Sequence, residues 1–300
     1  MALLLAAATA QAQAPAPRAI WTWEAESYAM LERPAALDEA LRFFGEKKID
    51  TIYLYADAYR GRNLLADQPQ LYRRAIRRMH ASGQRAYALL GSGYLHTERY
   101  VLPAHHAEAV AMLERVLDYN KTAAPEERFD GVNLDIEPHI LDEWGSRKME
   151  LLAGFLDMSR ALMRAKARSG QAIEIGPAIP FWLDGIELEW QGKRKPVSEH
   201  VQDLYDYVAL MDYRDHADGG DGLIAHASDE LRYGESIGRR VLIGVETAPN
   251  EIRKVSFHHL DEQAMERELN KTAAGVNKMR SFGGFVIHHY QAYRQWLRLE

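Results

Sequence analysis

After Arg18 the chain alternates short apolar runs with longer amphipathic ones. Continuous runs at 19–25, 50–57, 85–93, 129–138, 172–180, 207–213, 240–248 and 283–290 are rich in Val, Ile, Leu, Tyr and Phe, and they predict eight strands. Between them lie segments such as PAALDEALRFFGEKK, QPQLYRRAIRRMHASG and RKMELLAGFLDMSRALMRAKARSG. Their apolar residues recur every three or four positions and several end in Gly, which predicts seven connecting helices, that over VSEHVQDLYD being the weakest. A strict strand–helix beat predicts a parallel α/β architecture, and eight beats in this length fit a single-domain (β/α)8 TIM barrel. The competing fold is an open doubly wound sheet, which usually carries a glycine-rich phosphate turn after its first strand. Here that strand runs into WTWEAESYA, without glycine.

Composition narrows the picture. The 300 residues are 47% apolar and 27% charged, with no cysteine, as in an ordinary globular chain. A formal charge of -6 argues against nucleic acid as a partner, because phosphate backbones demand clustered cations. The one dense basic run, Arg73, Arg74, Arg77 and Arg78, has helical spacing and reads as a solvated helix face. Residues 1–14 join an apolar run to Ala-x-Ala sequences at Ala10–Ala12 and Ala12–Ala14, the pattern of a signal peptide that predicts a secreted or periplasmic protein. This apolar run is too short to span a bilayer as a helix. Residues 15–18 then read as a short linker and 19–300 as the barrel.

Barrel chemistry gathers at the C-terminal strand ends, and the residues there are polar and aromatic. They include Trp21, Trp23 and Glu24; Tyr53, Tyr55 and Asp57; Asn133, Asp135 and Glu137; Trp182; Met211, Asp212 and Tyr213; Glu246; and His288, His289 and Tyr290. Flat rings among acids and amides suit a polysaccharide or glycan, whose C–H faces stack while its hydroxyls seek hydrogen bonds. The sharpest signal is FDGVNLDIEPHI, residues 129–140. In an extended strand Asn133, Asp135 and Glu137 share one face, and neighbouring carboxylates on a partly buried face cannot both ionise cheaply. One carboxyl therefore stays protonated near neutrality, as a general acid requires. Glu137, nearer the rim, is the expected acid and Asp135 its tuning partner; a structural ion pair with a barrel cation is the alternative.

The run DGVNLDIEP resembles the Asp-x-x-Asp-x-Asp-x-Glu signature of family 18 glycoside hydrolases, the chitinase and endo-N-acetylglucosaminidase group. Asp130, Asp135 and Glu137 match it, with Asn133 in place of the second Asp. YVALMDYRD supplies the family's Met-x-Tyr in Met211 and Tyr213. The resemblance implies a substrate-assisted hydrolase of amino-sugar glycans. In it Glu137 acts as acid/base, Asp135 orients the acetamido group, and Tyr213 hydrogen-bonds its carbonyl. The chain departs from the family at the end of strand 8, where IHHY replaces a Trp.

Three alternatives stand beside that reading. Glu246, ending strand 7 in LIGVETAP, resembles the nucleophile of two-carboxylate retaining glycosidases and would lie about 5 to 5.5 Å from Glu137. The barrel could instead bind sugars without catalysis. A metal site could be drawn from His139, Asp212, Asp215, His216, His288 and His289, although no tight ligand spacing appears, so no metal is predicted. His258 and His259 read as surface or substrate-lining residues. No nucleotide or organic cofactor is implied.

Overall fold

The structure, a computed structural model, describes residues 15–299; the signal-like segment 1–14 lies outside the described residues. Ten strands follow in chain order: β1 (Arg18–Thr22), β2 (Thr51–Tyr55), β3 (Arg85–Leu90), β4 (Gly131–Leu134), β5 (Glu174–Pro180), β6 (Glu187–Trp190), β7 (Lys193–Pro196), β8 (Tyr207–Met211), β9 (Arg240–Glu246) and β10 (Phe282–His288). Eight of them close a barrel in the order β1-β10-β9-β8-β5-β4-β3-β2, every pairing parallel. The expected (β/α)8 TIM barrel is therefore the observed fold.

The seven expected helices appear as α2 (Pro34–Glu46), α4 (Pro69–Ala81), α5 (His106–Thr122), α6 (Trp144–Ser169), α7 (Val197–Leu204), α9 (Ser228–Ile237) and α10 (Glu262–Val276), with shorter ones among them. These are α1 (Glu24–Glu32), α3 (Leu64–Asp67), α8 (Leu223–His226) and α11 (Tyr290–Trp296). The first strand stops at Thr22, short of the expected Ala25. Ser27 Oγ donates to the Thr22 carbonyl at 2.8 Å, and Glu24 and Glu26 sit in the first turn of α1, where acids favour a helix start. The loop after β5 holds an unexpected hairpin, β6 paired antiparallel with β7. Gln191 and Gly192 at its tip both have positive φ, 52° and 74°, which suits a tight two-residue turn. No helix among the described residues is long and apolar enough to cross a membrane. The basic run of α4 is tied to its neighbours, Arg78 pairing with Asp38 and Arg77 with Glu127.

Side chains fill the barrel in layers. Tyr53, Tyr87 and Tyr207 interlock with ring centroids 5.7 and 5.9 Å apart, and the hydroxyl of Tyr207 donates to the Val132 carbonyl at 3.0 Å. Gly131 makes room for them: a Cβ there would lie 2.3 Å from the Tyr87 ring. Trp21 Nε1 donates to Asn133 Oδ1 at 2.9 Å across the barrel, and both side chains are buried. This packed column is the floor on which the strand ends build a site.

Candidate active site

Strand β4 carries the signature residues at three depths. Asp130, at its start, accepts the backbone N–H of Ala86 at 2.8 Å and lies 2.9 Å from His80 Nε2, so the first Asp staples β4 to β3 and α4. The same contact raises the His80 pKa. Asn133 lies in the barrel interior, where its amide also reaches the Gly176 carbonyl at 3.3 Å. Pairing in the ladder then ends, the Asp135 N–H donating to the Leu90 carbonyl at 2.7 Å. Beyond it the chain turns out through Pro138, which has no N–H to continue a sheet.

Asp135 and Glu137 are both half-buried at this rim while Ile136 between them is packed in the core. Burial, then the charges of Glu137 and Glu24, push the Asp135 carboxyl well above the usual carboxylate range. Glu24, at the start of α1, brings the third carboxylate and accepts the Ser92 hydroxyl. Gly91, the residue before Ser92, passes so near that a Cβ would lie 2.1 Å from the Asp135 carbonyl oxygen, and its φ of +101° suits only glycine. Glu137 Oε2 is 3.1 Å from His139 Nε2, whose ring packs edge-on to Trp182 at 5.3 Å.

Tyr213, just beyond β8, joins this cluster. Burial and the charges of Glu246, Asp135 and Glu137 hold its hydroxyl protonated, well above the ordinary phenol range. Opposite it stands His288, its ring centroid 5.7 Å from that of Tyr213 and 5.8 Å from that of Trp23. Thus Glu137, Asp135, Tyr213, Glu246 and Trp23 come together, joined by Glu24, Ser92 and His288.

Among solved structures the chain is similar to the glycoside hydrolase family 18 N-acetylglucosaminidase from Paenibacillus barengoltzii, at 17% identity and a TM-score of 0.56, covering 94% of this chain and 98% of that one. It is also similar to catalytic domain 2 of the group II chitinase of Ostrinia furnacalis, at 12% identity, TM-score 0.55 and coverage of 92% and 90%. An exo-β-1,4-mannosidase from Opitutaceae bacterium strain TAV5 aligns at 14% identity and TM-score 0.58, over 91% of this chain and 51% of that one. The chain shares the fold of these barrels. No family model and no curated protein matches the sequence.

Several residues expected to touch a substrate lie elsewhere. Trp21 and Asn133 form the layer under the hollow, and Tyr53 lies fully buried among the barrel tyrosines. Tyr55 is buried, its hydroxyl donating to the Ala58 carbonyl at 2.9 Å. Asp57 is an internal ion-pair partner of Arg115 at 2.8 Å. Asp212, fully buried, meets His226 Nδ1 at 2.8 Å and anchors α8; burial, opposed by His226, lifts its pKa to about 7. Tyr290 packs on Phe43 and Phe44 with centroids 5.4 and 5.1 Å away. His289 lies 3.3 Å from Glu26 of α1, so of the two adjacent histidines it is His288 that joins the site. Trp182 stays half-buried at the rim and Met211 half-buried at the end of β8.

The residues weighed as metal ligands are dispersed. Asp215 sits between His216 at 2.7 Å and His259 at 3.1 Å, away from the His226 and His288 contacts. Among the described residues no group of three or more His, Asp or Glu could hold a metal ion. Sequence reasoning placed Glu24 and His288 at strand ends, and weighed His288 only as a metal ligand, but could not give them their contacts, because their partners Ser92, Trp23 and Glu246 come from other strands.

Proposed function

We propose that this barrel is a glycoside hydrolase acting on glycans that contain N-acetylated amino sugars. The observation that carries the reading is one cluster at the strand ends, in which the raised carboxyl of Asp135, a second carboxyl two residues on, Glu137, and the protonated hydroxyl of Tyr213 lie close enough for each carboxylate to shift its neighbours. The carboxyl held protonated is Asp135 and not, as expected, Glu137; its proton passes to Glu137, which gives it to the glycosidic oxygen as the bond to the anomeric carbon breaks and leaves Asp135 as the carboxylate. The carbonyl oxygen of the substrate's own 2-acetamido group attacks that carbon, forming an oxazolinium ring and releasing the leaving-group alcohol. Asp135 accepts the acetamido N–H, and Tyr213 donates to the acetamido oxygen. Water then opens the ring, with Glu137 now taking its proton. The fold likeness to an N-acetylglucosaminidase and a chitinase supports the substrate class.

The test is release of reducing ends from oligomers and polymers of N-acetylglucosamine, with mannan as the comparison. Turnover of the N-acetylated substrates is expected, and Glu137→Gln should lower kcat by about 10²- to 10⁴-fold. Undiminished turnover in that variant removes the proposed acid. Cleavage of mannan alone removes the acetamido mechanism, because mannose has no acetamido group. Glycan binding without turnover in the parent protein would establish the non-catalytic alternative.

Export belongs to the same proposal. The apolar run and Ala-x-Ala sites of residues 1–14 support a secreted or periplasmic location. N-terminal sequencing of the exported protein should find a start near Pro15, and an intact Met1 in that fraction would refute processing at this site.

A further inference from the structure

Glu246 and His288 belong to a closed chain of donors and acceptors. Glu246 Oε1 accepts the backbone N–H groups of Thr247 at 2.8 Å and Ala248 at 2.7 Å. Its Oε2 lies 2.7 Å from His288 Nδ1, and Trp23 Nε1 donates to His288 Nε2 at 3.1 Å. An indole nitrogen only donates, so Nε2 must offer its lone pair. The single ring proton therefore sits on Nδ1 and is donated to the Glu246 carboxylate. A second proton on Nε2 would turn two N–H groups against each other and forfeit the Trp23 bond.

We propose that Glu246 is a positioning residue and not an attacking nucleophile. Together with Trp23 it locks His288 as a neutral Nδ1–H imidazole that forms the floor for the sugar undergoing cleavage. The assignment rests on the hydrolase reading of the site. Both Glu246 oxygens are engaged, and its side chain is only 11% exposed against 22% for His288, so the ring meets the hollow and the carboxylate stands behind it. Direct attack would require the carboxylate to leave His288 or its two backbone amides. Around the ring, Trp21 packs at 5.8 Å and Tyr213 at 5.7 Å, while His289 meets it edge-on at 4.8 Å with its own Nδ1 3.3 Å from Glu26.

The arrangement has an electrostatic use. Loss of the leaving group builds positive charge at the anomeric carbon, and a neutral ring backed by a carboxylate complements that charge without reorganising. An imidazolium in the same place would oppose it. Because Nδ1 and Nε2 are both occupied, the ring offers the sugar its face and C–H edge, not a competing hydrogen bond.

Two measurements on the full chain test the assignment. In the first, the protein carries ¹⁵N-labelled histidine, and long-range ¹H–¹⁵N spectra report which ring nitrogen is protonated, the His288→Gln spectrum identifying the signal. The parent should show a protonated Nδ1 and bare Nε2, and Trp23→Phe should admit the Nε2–H form. A parent ring protonated on Nε2 overturns the lock. In the second, Glu246→Ala is assayed on an aryl N-acetylglucosaminide with and without azide. No rescue and no glycosyl azide are expected, whereas azide rescue with that product makes Glu246 the nucleophile and overturns the proposal. Glu246→Gln should lower kcat on the order of ten- to a hundredfold with little change in KM. A parent without any turnover defeats the hydrolase reading, while the spectra still decide the histidine network.

Discussion

Asp135 illustrates how a single residue bears the cost of a site. Its half-buried carboxyl is lifted by desolvation and by the charges of Glu137 and Glu24, so the folded state holds a proton that the unfolded chain would release. A raised carboxyl contributes stability that is fully present below its unfolded pKa and is lost as pH rises through the folded pKa. The parent protein should therefore lose thermal stability as pH climbs from the ordinary carboxylate range towards the raised one. Asp135→Asn should reduce that loss and melt higher than the parent at neutral pH, with activity falling. Parallel melting curves for the two proteins across that range would show that Asp135 is not the source.

Among the elements, helix α9 hides a second strained acid. Glu230 is fully buried, neither carboxyl oxygen makes a hydrogen bond of normal geometry among the described residues, and burial, opposed by the nearby Ser198 hydroxyl, lifts its pKa from 4.5 to about 8. Its sign is the same: stability is greatest below about pH 4.5 and declines up to about pH 8. The penalty at the alkaline end is on the order of a few kcal/mol. Glu230→Gln removes the titration and should raise Tm at pH 8 while changing it little at pH 4, as calorimetry at the two values would measure. Equal shifts at both would point to packing instead of charge. The neighbouring elements contrast with this one: hairpin β6–β7 is solvent-facing at Glu187, Glu189, Lys193 and Arg194 and is anchored by buried Leu188 and by Trp190 Nε1 donating to Asp157 at 3.1 Å.

For the whole molecule the decisive joint is the seam between the first and last barrel strands. Arg18 of β1 forms a two-pronged contact with Glu266 of α10, both distances 2.6 Å, and Phe285 N–H donates to the Pro17 carbonyl at 2.9 Å. Gly284 beside it has a φ of +107°, and a Cβ there would lie 2.2 Å from the Pro17 oxygen. Since backbone cannot yield as a flexible side chain does, Gly284→Ala should destabilise the barrel by about 2 kcal/mol or more and lower Tm by several degrees. A melting point within one degree of the parent would mean that the seam relaxes freely.

How much of this was legible in advance varies with the range of the interactions. Period and run length are local properties of the chain, so the eight strands, the main helices and hence the barrel could be read from the residues in order. Spacing along β4 is local too, which is why Asp135 and Glu137 stood out together. By contrast, α1 was missed because the strand's apolar run carries on to Ala25 while Ser27 and the first-turn acids favour helix. Tyr53 and Tyr290 have the composition of sugar platforms, yet one is wedged among barrel tyrosines and the other against Phe43 and Phe44. His288 and His289 are neighbours in sequence, and only the register of β10 against β9, which sets His288 opposite Glu246, separates a site residue from an outer one. What the linear order determined was the architecture and the acid pair. Which side chains share the hollow was decided by closure of the barrel, because bonds such as Trp23 to His288, 265 positions apart, exist only when the first strand meets the last.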